Sequence, residues 1–152
     1  MRALPARALI VTAFLLVAAP ARATLGEPES SVDAVQAGIF SIHRKATVKA
    51  SYTVHELTTN TGVVREFISQ SGVVFAITWQ GVAQPDLTLL LGTYYKEYRD
   101  ETLRMRTMHG HSPHSISTSN LVLERSGHMR AEGGRVFMPN LIPSGVSKDE
   151  IR

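Results

Sequence analysis

SYTVHELTTNTGVVREFISQSGVVFAITW, residues Ser51 to Trp79, decides the fold. Three β-rich runs are separated by two short polar turns. Ser51 to Thr58 is partly alternating, Asn60-Thr61-Gly62 turns the chain, and Val63 to Ser69 returns. Gln70-Ser71-Gly72 turns it again. Gly62 suits a turn position with positive φ. In the third run Val73, Phe75, Ile77 and Trp79 fall on one face and Val74, Ala76 and Thr78 on the other, because strand side chains alternate with period two. Tight turns between alternating strands predict an antiparallel meander covered on a single side.

Helical patterns flank this meander. Upstream, Val32, Val35, Ile39 and Ile42 recur at i, i+3, i+7 and i+10, one face of a helix. Pro28 to Ser31 would open it, with Ser30 or Ser31 as cap, and it should stop near His43 to Ala46. Downstream, Pro85 and Asp86 open a second helix whose stripe is Leu87, Leu90, Leu91, Tyr94 and Tyr98. A second strand set follows: about Ile116 to Arg125, a Ser126-Gly127 turn, His128 to Glu132, a Gly133-Gly134 turn, and Arg135 to Met138. Pro139 and Pro143 end regular pairing. The expected fold class is α+β, an antiparallel sheet of two three-stranded meanders with two helices packed on one face. The order also hints at a duplicated helix-plus-meander unit, though SGVVF and GGRVF are nearly all that the halves share.

The chain opens MRALPARALIVTAFLLVAAPARA. Arg2 and Arg7 are a positive n-region, Ala8 to Ala19 is apolar except for Thr12, and Ala21-Arg22-Ala23 is small-x-small. This predicts a secretory signal peptide over 1–23, cleaved between Ala23 and Thr24. The apolar run is too short to span a bilayer, which takes about 20 residues. The expected organisation is a signal peptide (1–23), one α+β domain (24–146) and a polar C-terminal tail (147–152) that could fray. Localisation is expected to be periplasmic or secreted, with no membrane span in the mature chain.

Cleavage changes the charge balance. The chain has 16 basic and 13 acidic residues, but Arg2, Arg7 and Arg22 precede the cleavage point, leaving 13 against 13. A neutral mature chain lacks the basic footprint of a nucleic-acid binder. There is no cysteine, which excludes disulfides, thiol redox chemistry and thiolate metal sites.

Two groups of residues are candidates for chemistry. His109, His111 and His114 fall within six positions, with Met105 and Met108 just before them. Three imidazoles with an open position suit zinc or copper, and thioethers suit copper(I). No carboxylate stands nearby to orient the rings. Gly110-His111-Ser112-Pro113-His114 resembles the start of a nucleophile elbow but lacks the last glycine and the strand–turn–helix context. The second group is a possible binding surface on the strands: His55, Glu56, Arg65, Glu66, His128 and Arg130. Cross-strand charge pairs on a solvated sheet explain such residues equally well. Trp79, Tyr94, Tyr95 and Tyr98 could line a ligand groove, but aromatics at strand and helix spacing are more often core.

Several pieces resemble a known family: Thr53-Val54-His55-Glu56, Val64-Arg65-Glu66, Phe75-Ala76, Pro85-Asp86-Leu87, Leu90-Leu91-Gly92, Gly127-His128-Met129-Arg130-Ala131 and Pro139-x-Leu141-x-Pro143. Together the chain is similar to the uncharacterised bacterial exported proteins of domain of unknown function 2844. The resemblance implies an exported Gram-negative protein of about this size and no activity. The histidine segment lies between the matching stretches. The functional expectation is an exported periplasmic module with a non-enzymatic binding or accessory role, needing no cofactor. Its partner would be another periplasmic or envelope protein or a small ligand, not nucleic acid. The alternatives are a periplasmic copper- or zinc-binding protein using the His109–His114 segment, and an enzyme with an unassigned site.

Overall fold

The computed structural model describes residues 25–28, 41–109, 114–128 and 131–152. Seven strands form one sheet: β1 (Ser41–Val48), β2 (Tyr52–Thr59), β3 (Gly62–Ser69), β4 (Val74–Gly81), β5 (Ser115–Ser117), β6 (Val122–His128) and β7 (Ala131–Phe137). Their spatial order is β1-β2-β3-β4-β7-β6-β5, and every pairing is antiparallel. The helical segment between β4 and β5 is α1 (Leu87–Leu91), a 3-10 turn (Gly92–Tyr94) and α2 (Tyr95–His109).

This corrects the expected architecture. The single antiparallel sheet is not built of two three-stranded meanders. A four-stranded set and a three-stranded set join between β4 and β7 into one sheet. Nor are two helices seen packed on one face. One α-helical segment is described, and most of the first predicted helix lies on residues 29–40, outside the described residues. Its expected end is a strand, SIHRKATV. Pairing over Ser41–Val48 gives β2 a ladder on its outer side, and backbone groups satisfied in a ladder outweigh a weak helical pattern.

A bulge between Phe67 and Ile68 also changes the reading of β4. Phe67 pairs with Ala76 and Ile68 with Val74, so one extra residue of β4 stands against β3. Strict alternation breaks there. Val74, Ile77 and Trp79 join the core beneath the helical segment, while Phe75 and Ala76 join a second cluster on the opposite face.

Gly133-Gly134 is not a turn. Both residues lie inside β7. A Cβ on Gly134 would stand 2.2 Å from Trp79 Cζ2, so the missing side chain lets the indole lie across the neighbouring strand. Ser126-Gly127, also expected as a turn, likewise lies inside β6, which pairs antiparallel with β7 as far as His128 opposite Ala131.

Each face has its own cover. On the helix face, Leu57, Val64, Ile77, Trp79, Val136 and Leu123 pack against Leu87, Leu90, Leu91 and Tyr98. The Asp86 carboxylate accepts from Thr88 N at 2.8 Å and caps α1. Gly92, at φ +48°, ends it. On the other face, here the tail face, Tyr52, Phe67, Phe75 and Phe137 pack beneath Ile142, Val146 and Ile151. Ring centroids of Tyr52, Phe67 and Phe75 stand 5.8–6.2 Å apart. Ser147 to Arg152 is therefore anchored: Ser147 and Glu150 form a capping box, and Ile151 is fully buried.

Candidate functional site

The pairing registers place Lys45, Glu56, Arg65, Thr78, Arg135 and Glu124 opposite one another on six successive strands. Directly opposed residues share a face, so the six form one polar row across the tail face. Its middle reads Glu56, Arg65, Thr78, Arg135, Glu124, a charge order of minus, plus, hydroxyl, plus, minus. Each guanidinium turns outward to its own carboxylate. Arg65 Nε donates to Glu56 Oε2 at 2.7 Å, and Arg135 Nε donates to Glu124 Oε2 at 2.6 Å. Nη1 of Arg135 also donates to the carbonyls of Lys148 at 2.8 Å and Ile151 at 3.3 Å, holding the C-terminal segment in place.

Thr78 lies between the two arginines, 4 % exposed, and its hydroxyl has no hydrogen-bond partner among the described residues. Buried hydroxyls are normally satisfied, so an orphan needs an explanation. Around it opens a groove of about 660 Å³, lined by Arg65, Thr78, Gln80, Gly133, Arg135 and Arg152 among others. Gly133 contributes no side chain and keeps the floor low beside Gln80. A smaller cavity of about 330 Å³ lies at the end of the sheet between Trp79, Leu89 and Pro85.

The opposite face treats its polar residues differently. His55 and Glu66 pair directly across β2 and β3. Both point to the helix face, where His55 is 5 % and Glu66 0 % exposed. An Arg44 guanidinium nitrogen stands 3.1 Å from His55 Nδ1. Guanidinium only donates, so Nδ1 accepts and a neutral ring carries its proton on Nε2. Neither Glu66 carboxylate oxygen has a hydrogen-bond partner among the described residues. Burial pushes the Glu66 carboxyl up to about 7, against the pull of the Arg44 charge.

The sheet thus divides the residues that sequence had grouped. Glu56 and Arg65 face the groove; His55 and Glu66 lie beneath the sheet and line none of its principal cavities. Arg130 and the side chain of His128 lie outside the described residues. Of the metal candidates, His111 and the side chain of His109 also fall outside them, while His114 is exposed and its carbonyl accepts from Arg125 N at 2.7 Å. Met105 packs on the core, and Met108 is exposed against Arg104. Among the described residues no three His, Cys, Asp or Glu side chains come together as a metal site. No described helix is long and apolar enough to cross a membrane.

Sequence reasoning missed Thr78, Glu124 and Arg135. Their signal is register. Once β4 pairs with β7 rather than ending a meander, Thr78 and Arg135 become neighbours.

No curated protein and no solved structure matches the chain significantly. A family model described as protein of unknown function (DUF2844) matches residues 21–151, and the chain belongs to that family.

Proposed function

We propose that the chain is exported, loses residues 1–23, and acts in the periplasm as a non-enzymatic binding or accessory module whose tail face receives a small ligand. The observation that carries this reading is the groove over Thr78, an orphaned hydroxyl between two arginines on a rigid sheet. Groups fixed on strands by packing and ion pairs are preorganised, which lowers the entropy cost of binding. Glu56 and Glu124 each accept from a guanidinium, an arrangement that suits recognition better than proton transfer. The n-region, apolar run and Ala-x-Ala of the first 23 residues support export.

The test uses the full chain expressed in a Gram-negative host. Mass spectrometry of the periplasmic fraction should find a chain beginning at Thr24; an uncleaved cytoplasmic chain overturns the export reading. Native mass spectrometry of the same material should show a small-molecule adduct. Gln80→Trp, which puts an indole in the groove, should abolish it. An adduct unaffected by that substitution places binding elsewhere.

A further inference from the structure

We infer that the centre of the row, between Arg65 and Arg135 over Thr78, is a subsite for a single oxyanion carried by a small solute, a carboxylate or a phosphate monoester. This rests on the binding-module reading and gives it a ligand chemistry.

Begin with donors and acceptors. The outward positions of the row are acceptors, Glu56 and Glu124, and both are occupied by arginine Nε. Among the described residues, both terminal nitrogens of Arg65 and Nη2 of Arg135 carry no hydrogen bond, and guanidinium nitrogens only donate. Thr78 Oγ1 is unpartnered between them and is free to donate as well. The centre therefore presents donors and lacks an acceptor. Two residues separated by one intervening strand stand about 10 Å apart at their backbones. The two arginines, which now turn outward to Glu56 and Glu124, are therefore long enough to swing their terminal nitrogens inward onto a group placed above the middle strand. Arginine forks match carboxylate and phosphate oxygens in geometry as well as charge.

The charge order limits the ligand further. Glu56 and Glu124 flank the arginines, so an extended polyanion crossing the sheet would meet a carboxylate on either side. One anionic group at the centre avoids both. Gly133 and Gln80 bound the groove on one side and leave room for the neutral remainder of the solute.

Titrating the mature chain with sodium phosphate, acetate and succinate at constant ionic strength, with glucose as neutral control and heparin as polyanion, tests this by calorimetry. At least one small oxyanion should bind, glucose should not, and heparin should gain nothing over the small ion. Whether phosphate or a carboxylate binds tighter identifies the source of the oxyanion. Arg65→Ala should weaken binding tenfold or more, and Arg65→Lys should restore only part of it, because the fork is lost. Thr78→Val should weaken binding several-fold while raising Tm, since it deletes an unsatisfied buried hydroxyl. A purely structural threonine would not move affinity and stability in opposite directions. Oxyanion binding unchanged by both Arg65→Ala and Thr78→Val overturns the assignment. If no oxyanion binds but a neutral or cationic adduct is lost in Gln80→Trp, the oxyanion subsite is wrong and the binding module stands. If nothing binds the groove at all, both fall.

Discussion

His55-Glu56 and Arg65-Glu66 are adjacent residues on paired strands, yet their side chains meet opposite fates. On the tail face Glu56 and Arg65 form a partly exposed ion pair at 2.7 Å. On the helix face His55 and Glu66 are buried, and the Glu66 carboxylate has no hydrogen-bond partner among the described residues. The pleat alone separates them. One face makes charge cheap by pairing it near water. The other holds a carboxyl where ionisation is costly.

Glu66 gives the largest expected effect. Its carboxyl titrates at about 7 in the folded chain, against 4.5 ordinarily. Below pH 4.5 it is neutral in both the folded and unfolded chain, and its contribution to stability is at its best. Between 4.5 and 7 the unfolded chain releases the proton while the folded one keeps it, so stability falls as pH rises. Above 7 the loss is complete, on the order of 3 kcal/mol. Urea denaturation from pH 4 to 8 should show this decline. Glu66→Gln should flatten it and leave the variant more stable than the parent at pH 8. Equal slopes in the two proteins would mean that Glu66 finds a partner or water when ionised.

A second contrast lies in the two glycines of β7. Gly134 faces the indole of Trp79, and a Cβ there would also meet Glu124 O at 2.8 Å. Gly133 faces the groove, where a Cβ would meet the Ser126 hydroxyl at 3.1 Å, a side chain able to move. Gly134→Ala should cost about 2 kcal/mol through overpacking, with a red-shifted tryptophan emission as the indole is displaced. Gly133→Ala should cost well under half of that. Equal losses in thermal denaturation would show that the indole tolerates a methyl group, and would remove the explanation for glycine at position 134.

These contrasts mark where the sequence was legible. The turns at Asn60-Thr61-Gly62 and Gln70-Ser71-Gly72 and the Leu87-Leu90-Leu91-Tyr98 stripe are local signals, and the elements they predict are present. Gly133-Gly134 misled because a glycine pair marks a turn and a close approach with the same letters. Only the position of Trp79 across the sheet tells them apart. The strand Ser41–Val48 was hidden for a similar reason, since its stabilisation comes from the β2 ladder rather than from its own pattern. The candidate surface was legible residue by residue in Glu56 and Arg65. The row was not, because Arg135 and Glu124 join it through the β4–β7 pairing, between residues more than fifty positions apart.

The smallest effects concern the ion pairs that flank Thr78. Both are roughly a third exposed: side chains of Arg65 and Glu56 at 32 % and 34 %, those of Arg135 and Glu124 at 27 % and 41 %. Water screens such pairs, and cross-strand charges couple by about 0.2–1 kcal/mol. A double-mutant cycle on Arg65→Ala and Glu56→Ala should fall within that range and shrink in high salt. The Arg135 cycle should give a similar coupling to Glu124, yet Arg135→Ala alone should cost more than Arg65→Ala. Only Arg135 also donates to the carbonyls of Lys148 and Ile151, so its loss should speed amide exchange in the last residues as well. If Arg135→Ala and Arg65→Ala are equally mild and the C-terminal amides stay protected, the buried Ile151 side chain alone holds the segment that covers the tail face.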